Sequence, residues 1–133
     1  DKAIAFYSRL FGTPPAKVKP GYANFAIADP PLKLVLFEGE EGATLNHLGV
    51  EVETAEEVAS AERRLRGAGL ETTGVEDTVC CYAEKTETWI ADPDGARWEW
   101  YVKSGDAGQL DKTVAGSNPA ASAIDGAPAT CCS

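Results

Sequence analysis

Ile90-Ala91-Asp92-Pro93-Asp94-Gly95 ends one apolar run and introduces the next, and its first four residues repeat Ile27-Ala28-Asp29-Pro30 at an offset of 63 residues. Two matching turns at a fixed offset mark an internal duplication. Around the first copy, Tyr22 to Ala28 and Leu32 to Glu38 flank Asp29-Pro30-Pro31 and read as strand, turn and strand. Around the second, Lys85 to Ala91 and the aromatic-rich Ala96 to Lys103 read the same way.

A helix precedes each strand pair. Ala3, Phe6, Tyr7, Leu10 and Phe11 fall at helical spacing, with Asp1 as a cap and Gly12 as a stop. In the second half, Thr54 and Glu57 form a capping box, and Val58, Ala61, Leu65 and Ala68 make a buried stripe that ends at Gly67 to Gly69. Segments 13–21 and 71–78 read as loops. Ahead of the second helix, His47-Leu48-Gly49-Val50-Glu51-Val52 alternates as a strand does, with Leu48, Val50 and Val52 on one face and His47 and Glu51 on the other. The first half opens directly on its helix, so the matching strand is expected upstream of Asp1. Residues 104–133 lose periodicity and are expected to be a flexible tail carrying Cys131 and Cys132.

Composition narrows the classes of function. With 133 residues, 44% of them hydrophobic and 25% charged, the chain can bury one ordinary core. A net charge of -9 argues against a nucleic-acid backbone or an anionic lipid surface as partner. No run of 18 apolar residues occurs, and residues 1–20 lack the apolar centre of a secretory signal. Neighbouring cysteines bridge one another only through a strained ring, so two adjacent pairs suggest reduced thiols and a cytoplasmic setting.

Four residues carry candidate chemistry. His47 is the only histidine, and on spacing alone it is either a metal ligand or a satisfied polar group. Glu99 lies between Trp98 and Trp100. Either its carboxylate faces inward toward a cation that offsets its burial, or it faces outward with both tryptophans in the core. Cys80 and Cys81 are either two small buried hydrophobes or a thiol pair for a soft element. Adjacent residues of a regular strand face opposite ways, so a shared target requires this stretch to leave strand geometry. The position 63 residues before Glu99 is Leu36, which offers no ligand.

Ile4 to Gly12, Asn46 to Val52 and the Asp92-Pro93-Asp94-Gly95 turn leading to Glu99 together resemble the vicinal oxygen chelate (glyoxalase/dioxygenase) superfamily. The resemblance covers residues 1–103 and implies an α+β fold of paired βαβββ modules, about 1–43 and 44–103, whose curved mixed sheets enclose one metal. Cys80-Cys81-Tyr82-Ala83 and the cysteine-bearing tail resemble the ArsI/CadI branch. That likeness implies His47 and Glu99 as metal ligands, joined by a residue of the upstream strand, and Cys80 and Cys81 as substrate ligands. It further implies a non-haem Fe(II) enzyme that uses O2 to cleave the carbon-arsenic bond of a trivalent organoarsenical. Two alternatives stand beside it: a CadI-like protein that sequesters cadmium or arsenite, and another metal-dependent enzyme of the superfamily. The oligomeric state is not legible.

Overall fold

The computed structural model describes residues 1–108 and 113–114. These fall into two compact units divided between Thr44 and Leu45. The described residues form an α+β fold of two short helices and two sheets.

The first unit opens with α1 (Lys2–Phe11), which ends where Gly12 takes up a left-handed conformation and donates its N–H to Ser8 O. Tyr7 and Phe11, one helical turn apart, stack with ring centroids 6.1 Å apart. Tyr7 also meets Phe25 edge-on at 6.4 Å, and Phe25 is fully buried. Phe25 lies on β2 (Tyr22–Ile27), the middle strand of an antiparallel sheet with β1 (Lys17–Lys19) and β3 (Leu32–Phe37). The Asp29-Pro30 turn joins β2 and β3 in a register running from Tyr22↔Phe37 to Ile27↔Leu32. The short strand β1 lies within the segment expected to be loop. Its pairing with β2 comes from tertiary context that a run of Pro and Lys does not advertise.

The second unit begins with β4 (Leu48–Glu51) and α2 (Ala55–Gly67). The capping box at the start of α2 closes as its spacing requires. Thr54 Oγ1 accepts from Glu57 N at 3.2 Å, and Glu57 Oε2 accepts from Thr54 N at 2.9 Å. Then follow β5 (Glu76–Cys80), β6 (Ala83–Ala91), β7 (Arg97–Asp106) and β8 (Thr113–Val114), giving the sheet order β4-β7-β6-β5-β8. Among the described residues of this sheet, β4 and β7 pair in parallel and the other neighbours pair antiparallel. After its opening strand this unit repeats the first unit's order, one helix followed by three antiparallel strands.

Three expectations about irregular segments need correction. Most of 71–78 is loop, but its end belongs to β5; β7 runs on to Asp106; and Thr113–Val114 adds to the edge of β5. In each case backbone pairing with a neighbour supplies order that local composition does not encode. Cys131 and Cys132 lie outside the described residues.

The two faces of the second sheet are chemically different. One packs on α2, with Val58, Ala61 and Leu65 buried and the Arg64 guanidinium 5.4 Å from the centre of the Trp100 ring. The other carries the alternate residues of each strand, Lys85, Glu87 and Trp89 from β6 and Glu99 and Tyr101 from β7. Gly49 lets β4 approach this second face closely. A methyl group added there would stand 3.1 Å from Glu99 O and 3.5 Å from the Tyr101 ring.

Gly49→Ala is therefore expected to destabilise the protein by about 1–3 kcal/mol through overpacking. Gly67→Ala is the matched control, because a Cβ there meets nothing within 4 Å. It should be neutral or stabilising by up to about 1 kcal/mol. Denaturant melts of the two variants check the contrast.

Candidate metal and thiol site

Parallel pairing of β4 with β7 sets Gly49 opposite Glu99, and antiparallel pairing of β6 with β7 sets Trp89 opposite Glu99 from the other side. Glu99 thus sits in the middle of three strands, 3% exposed, with its side chain on the face away from α2. The outward-facing alternative does not hold, since Trp98 is the exposed neighbour at 39% and Trp100 meets α2.

A carboxylate buried this deeply needs partners. Lys85 Nζ donates to Glu99 Oε1 at 2.7 Å, and His47 Nε2 lies 3.4 Å from Glu99 Oε2. Burial is the largest single influence on Glu99 and pushes its pKa up. The His47 contact and the Lys85 ammonium together outweigh burial and hold it at about 2. Glu87, fully buried on the same face, behaves oppositely. Its burial, then the nearby Glu99 carboxylate, raise its pKa, and Lys85 at 3.8 Å only partly opposes them.

His47 is held from behind. Asn46 Oδ1 lies 2.7 Å from His47 Nδ1, and the same oxygen accepts from Arg97 Nη2 at 2.8 Å. The Trp89 ring meets the imidazole edge-on at 5.0 Å, while the Arg97 guanidinium sits 5.5 Å from the centre of the Trp89 ring. Sequence reasoning assigns Lys85, Glu87, Asn46 and Arg97 no part beside His47 and Glu99. The signal available for the first two was inward alternation of charged residues along β6 beside Trp89.

The donor set suits a divalent cation. An imidazole nitrogen and a carboxylate oxygen each about 2.1 Å from a shared first-row metal stand about 3.0–3.4 Å from one another. The 3.4 Å between His47 Nε2 and Glu99 Oε2 falls in that range, and Glu99 Oε1 is already engaged by Lys85. Among the described residues no third His, Cys, Asp or Glu joins them in a metal-sized group.

Cys80 and Cys81 lie where β5 turns into β6. Cys80 pairs with Ala83 across the hairpin, which leaves Cys81 and Tyr82 as a two-residue loop at φ 54 and φ 60. Left-handed conformations at both positions are those of a type I′ turn, normally filled by Asn and Gly. Non-glycine residues there cost on the order of 1–3 kcal/mol each. The turn breaks strand alternation and brings the two Sγ atoms to 3.1 Å. Cys80 is fully buried in a cluster with Trp89, against which Cys81 packs. The expectation of reduced thiols is corrected, because both cysteines are disulfide-bonded and no described cysteine is free. At 3.1 Å the sulfurs are well beyond the ~2.05 Å of a bond between them. The strain argument therefore excluded only a bridge between neighbours.

With this geometry in view, the likeness to known proteins becomes specific. Residues 1–100 match the glyoxalase/bleomycin resistance protein/dioxygenase superfamily, and the chain belongs to it. Within that superfamily it is 57% identical over 114 residues to a trivalent organoarsenical cleaving enzyme of Thermomonospora curvata, covering 84% of this chain and 76% of the relative. It is also 49% identical over 134 residues to the cadmium-induced protein CadI of Mycobacterium tuberculosis, covering 99% of this chain and 85% of the relative. A Legionella pneumophila structure described as an NAD-dependent benzaldehyde dehydrogenase superposes with a TM-score of 0.52 at 22% identity, over 77% of this chain and 90% of that one. That likeness speaks to the fold alone. No helix of the described residues is long and apolar enough to cross a membrane.

Lys85→Met should cost about 3–5 kcal/mol in the metal-free protein, because it strands a buried carboxylate. Glu99 titrates at about 2 folded, against an ordinary 4.5. Its stabilising contribution is therefore complete above the ordinary value and is lost as pH falls toward the folded one. The deficit of Lys85→Met should be widest near neutral pH and narrow below about pH 4.5, as chemical melts across a pH series would report.

Proposed function

We propose that the protein cleaves the carbon-arsenic bond of a trivalent organoarsenical, with Cys80 and Cys81 as the arsenic ligands in their reduced form and His47 and Glu99 as ligands of a catalytic Fe(II). The observation that carries this reading is the hairpin turn that brings the two sulfurs to 3.1 Å, on a sheet whose α2-free face also presents the His47–Glu99 pair. The 57% identity to an enzyme named for organoarsenical cleavage supports it.

Trivalent arsenic forms three bonds. A methyl or aryl arsenical spends one on carbon and has two left, which two thiolates match in number and in softness. Capture as a dithiolate anchors the arsenic and limits where its carbon can lie, so that binding supplies orientation for the bond that breaks. Cys80 is buried, which keeps water from the captured arsenic. Fe(II), when bound, supplies the activation of dioxygen. Lys85 holds Glu99 ionised and occupied at Oε1, leaving Oε2 toward His47 as the oxygen available to a metal. The products implied by this class of reaction are arsenite and an oxidised organic fragment.

The likeness to CadI over nearly the whole chain favours a second reading, sequestration of cadmium or arsenite by the thiols without turnover. One experiment separates the two. Reduced protein is loaded with Fe(II) anaerobically and given methylarsenite, air is admitted, and arsenic is speciated. Oxygen-dependent arsenite release supports the enzyme; tight capture with methylarsenite recovered intact supports sequestration.

In the same assay Glu99→Ala should abolish metal-dependent turnover yet keep arsenical binding, read by Trp fluorescence. Cys80→Ser and Cys81→Ser should each weaken capture severely while the metal remains bound. Wild-type turnover by the double serine variant would remove the thiols from the mechanism.

A further inference from the structure

Resting on the reading of His47 as a metal ligand, we propose that Asn46 and Arg97 act as a positioning pair that selects the imidazole tautomer able to bind the metal. Arginine carries only donors. The Asn46 side-chain atom 2.8 Å from Arg97 Nη2 must therefore be the amide oxygen, and a second, longer contact from Arg97 Nη2 to the Asn46 backbone oxygen at 3.4 Å keeps the guanidinium in place. The same amide oxygen lies 2.7 Å from His47 Nδ1. An amide oxygen only accepts, so Nδ1 must carry a hydrogen in the doubly protonated ring and in the neutral one alike, and in the neutral ring Nε2 then carries the lone pair. Nε2 is the nitrogen 3.4 Å from Glu99 Oε2.

Arg97 works on His47 only through the orientation of the Asn46 amide. Without the guanidinium the amide can turn over and present its NH2 to Nδ1. Nδ1 would then accept, the hydrogen would move to Nε2, and the imidazole would face the metal position with N–H. An aspartate at position 46 has no NH2 face, so it would hold the Nδ1–H form whether or not Arg97 is present. Stacking of Arg97 on Trp89, itself edge-on to His47, fixes the guanidinium independently of the metal.

The test uses the single histidine of the chain, whose imidazole nitrogens give one set of signals. Long-range 1H–15N correlation of the metal-free, reduced full-length chain, at a pH where the imidazole is neutral, reads the tautomer directly. Co(II) affinity is measured by competition with a chelator. Wild type should show the Nδ1–H form. Arg97→Met should shift it toward Nε2–H and weaken Co(II) binding about 10–100-fold. The double variant Asn46→Asp/Arg97→Met should restore both, a rescue that a merely structural role for Arg97 does not provide. Wild type in the Nε2–H form, Arg97→Met with unchanged tautomer and affinity, or a double variant as impaired as Arg97→Met would each overturn the proposal. A wild type that fails to bind Co(II) would instead overturn the metal reading above, and the imidazole spectrum would still decide the tautomer.

Discussion

The second unit is organised around the burial of one charge. Glu99 occupies a central strand between two neighbours, where a carboxylate is unfavourable unless compensated, and the compensation comes from three directions. Lys85 reaches it from β6, His47 approaches from the start of β4, and Gly49 removes the side chain that would keep β4 away. None of these contacts is local in sequence. A hydrophobic residue at 99 would pack more simply, and the Lys85–Glu99 pair is weak grounds for stability as such. Its value lies in presenting one oxygen of an ionised carboxylate beside an imidazole, with the other oxygen already engaged.

Much of this architecture is legible because it repeats. The Ile-Ala-Asp-Pro turn recurs 63 residues on, and each copy joins the last two strands of a helix-plus-three-strand unit. Periodicity finds the two helices, and the capping box at Thr54 and Glu57 forms as its spacing says. Periodicity does not find β1, the register of β5, or β8, whose order comes from backbone pairing with distant segments. Candidate residues follow the same division. His47, Glu99, Cys80 and Cys81 stand out by type, whereas Lys85, Glu87, Asn46 and Arg97 are common polar residues that gain meaning only when β4, β6 and β7 lie side by side.

The cysteine pair shows how far a local rule can be trusted. Alternation along a strand forbids two adjacent side chains from meeting one atom, so a shared target required a break in the strand. The break is the Cys81-Tyr82 loop, with both residues held left-handed without glycine. Hairpin loops of this type usually relieve that strain with Asn-Gly, and this chain retains the strained residues and gains two sulfurs side by side. The oxidation state of the pair also matters. Both cysteines are disulfide-bonded here, and a disulfide sulfur offers no thiolate to arsenic or cadmium. Reduction is thus a precondition of either functional reading.

On the proposed reading, two coordination chemistries share one sheet and are told apart by hardness. An imidazole and a carboxylate suit Fe(II) and similar first-row cations, while paired thiolates suit arsenic and cadmium. Trp89 belongs to the buried cluster that contains Cys80 and stands edge-on to His47, while Arg97 stacks on its ring. Arg97 also reaches Asn46, so the side chain that braces Trp89 touches the residue facing His47 Nδ1. On the proposed reading, that contact links the aromatic support of the site to the choice of which His47 nitrogen is left to bind.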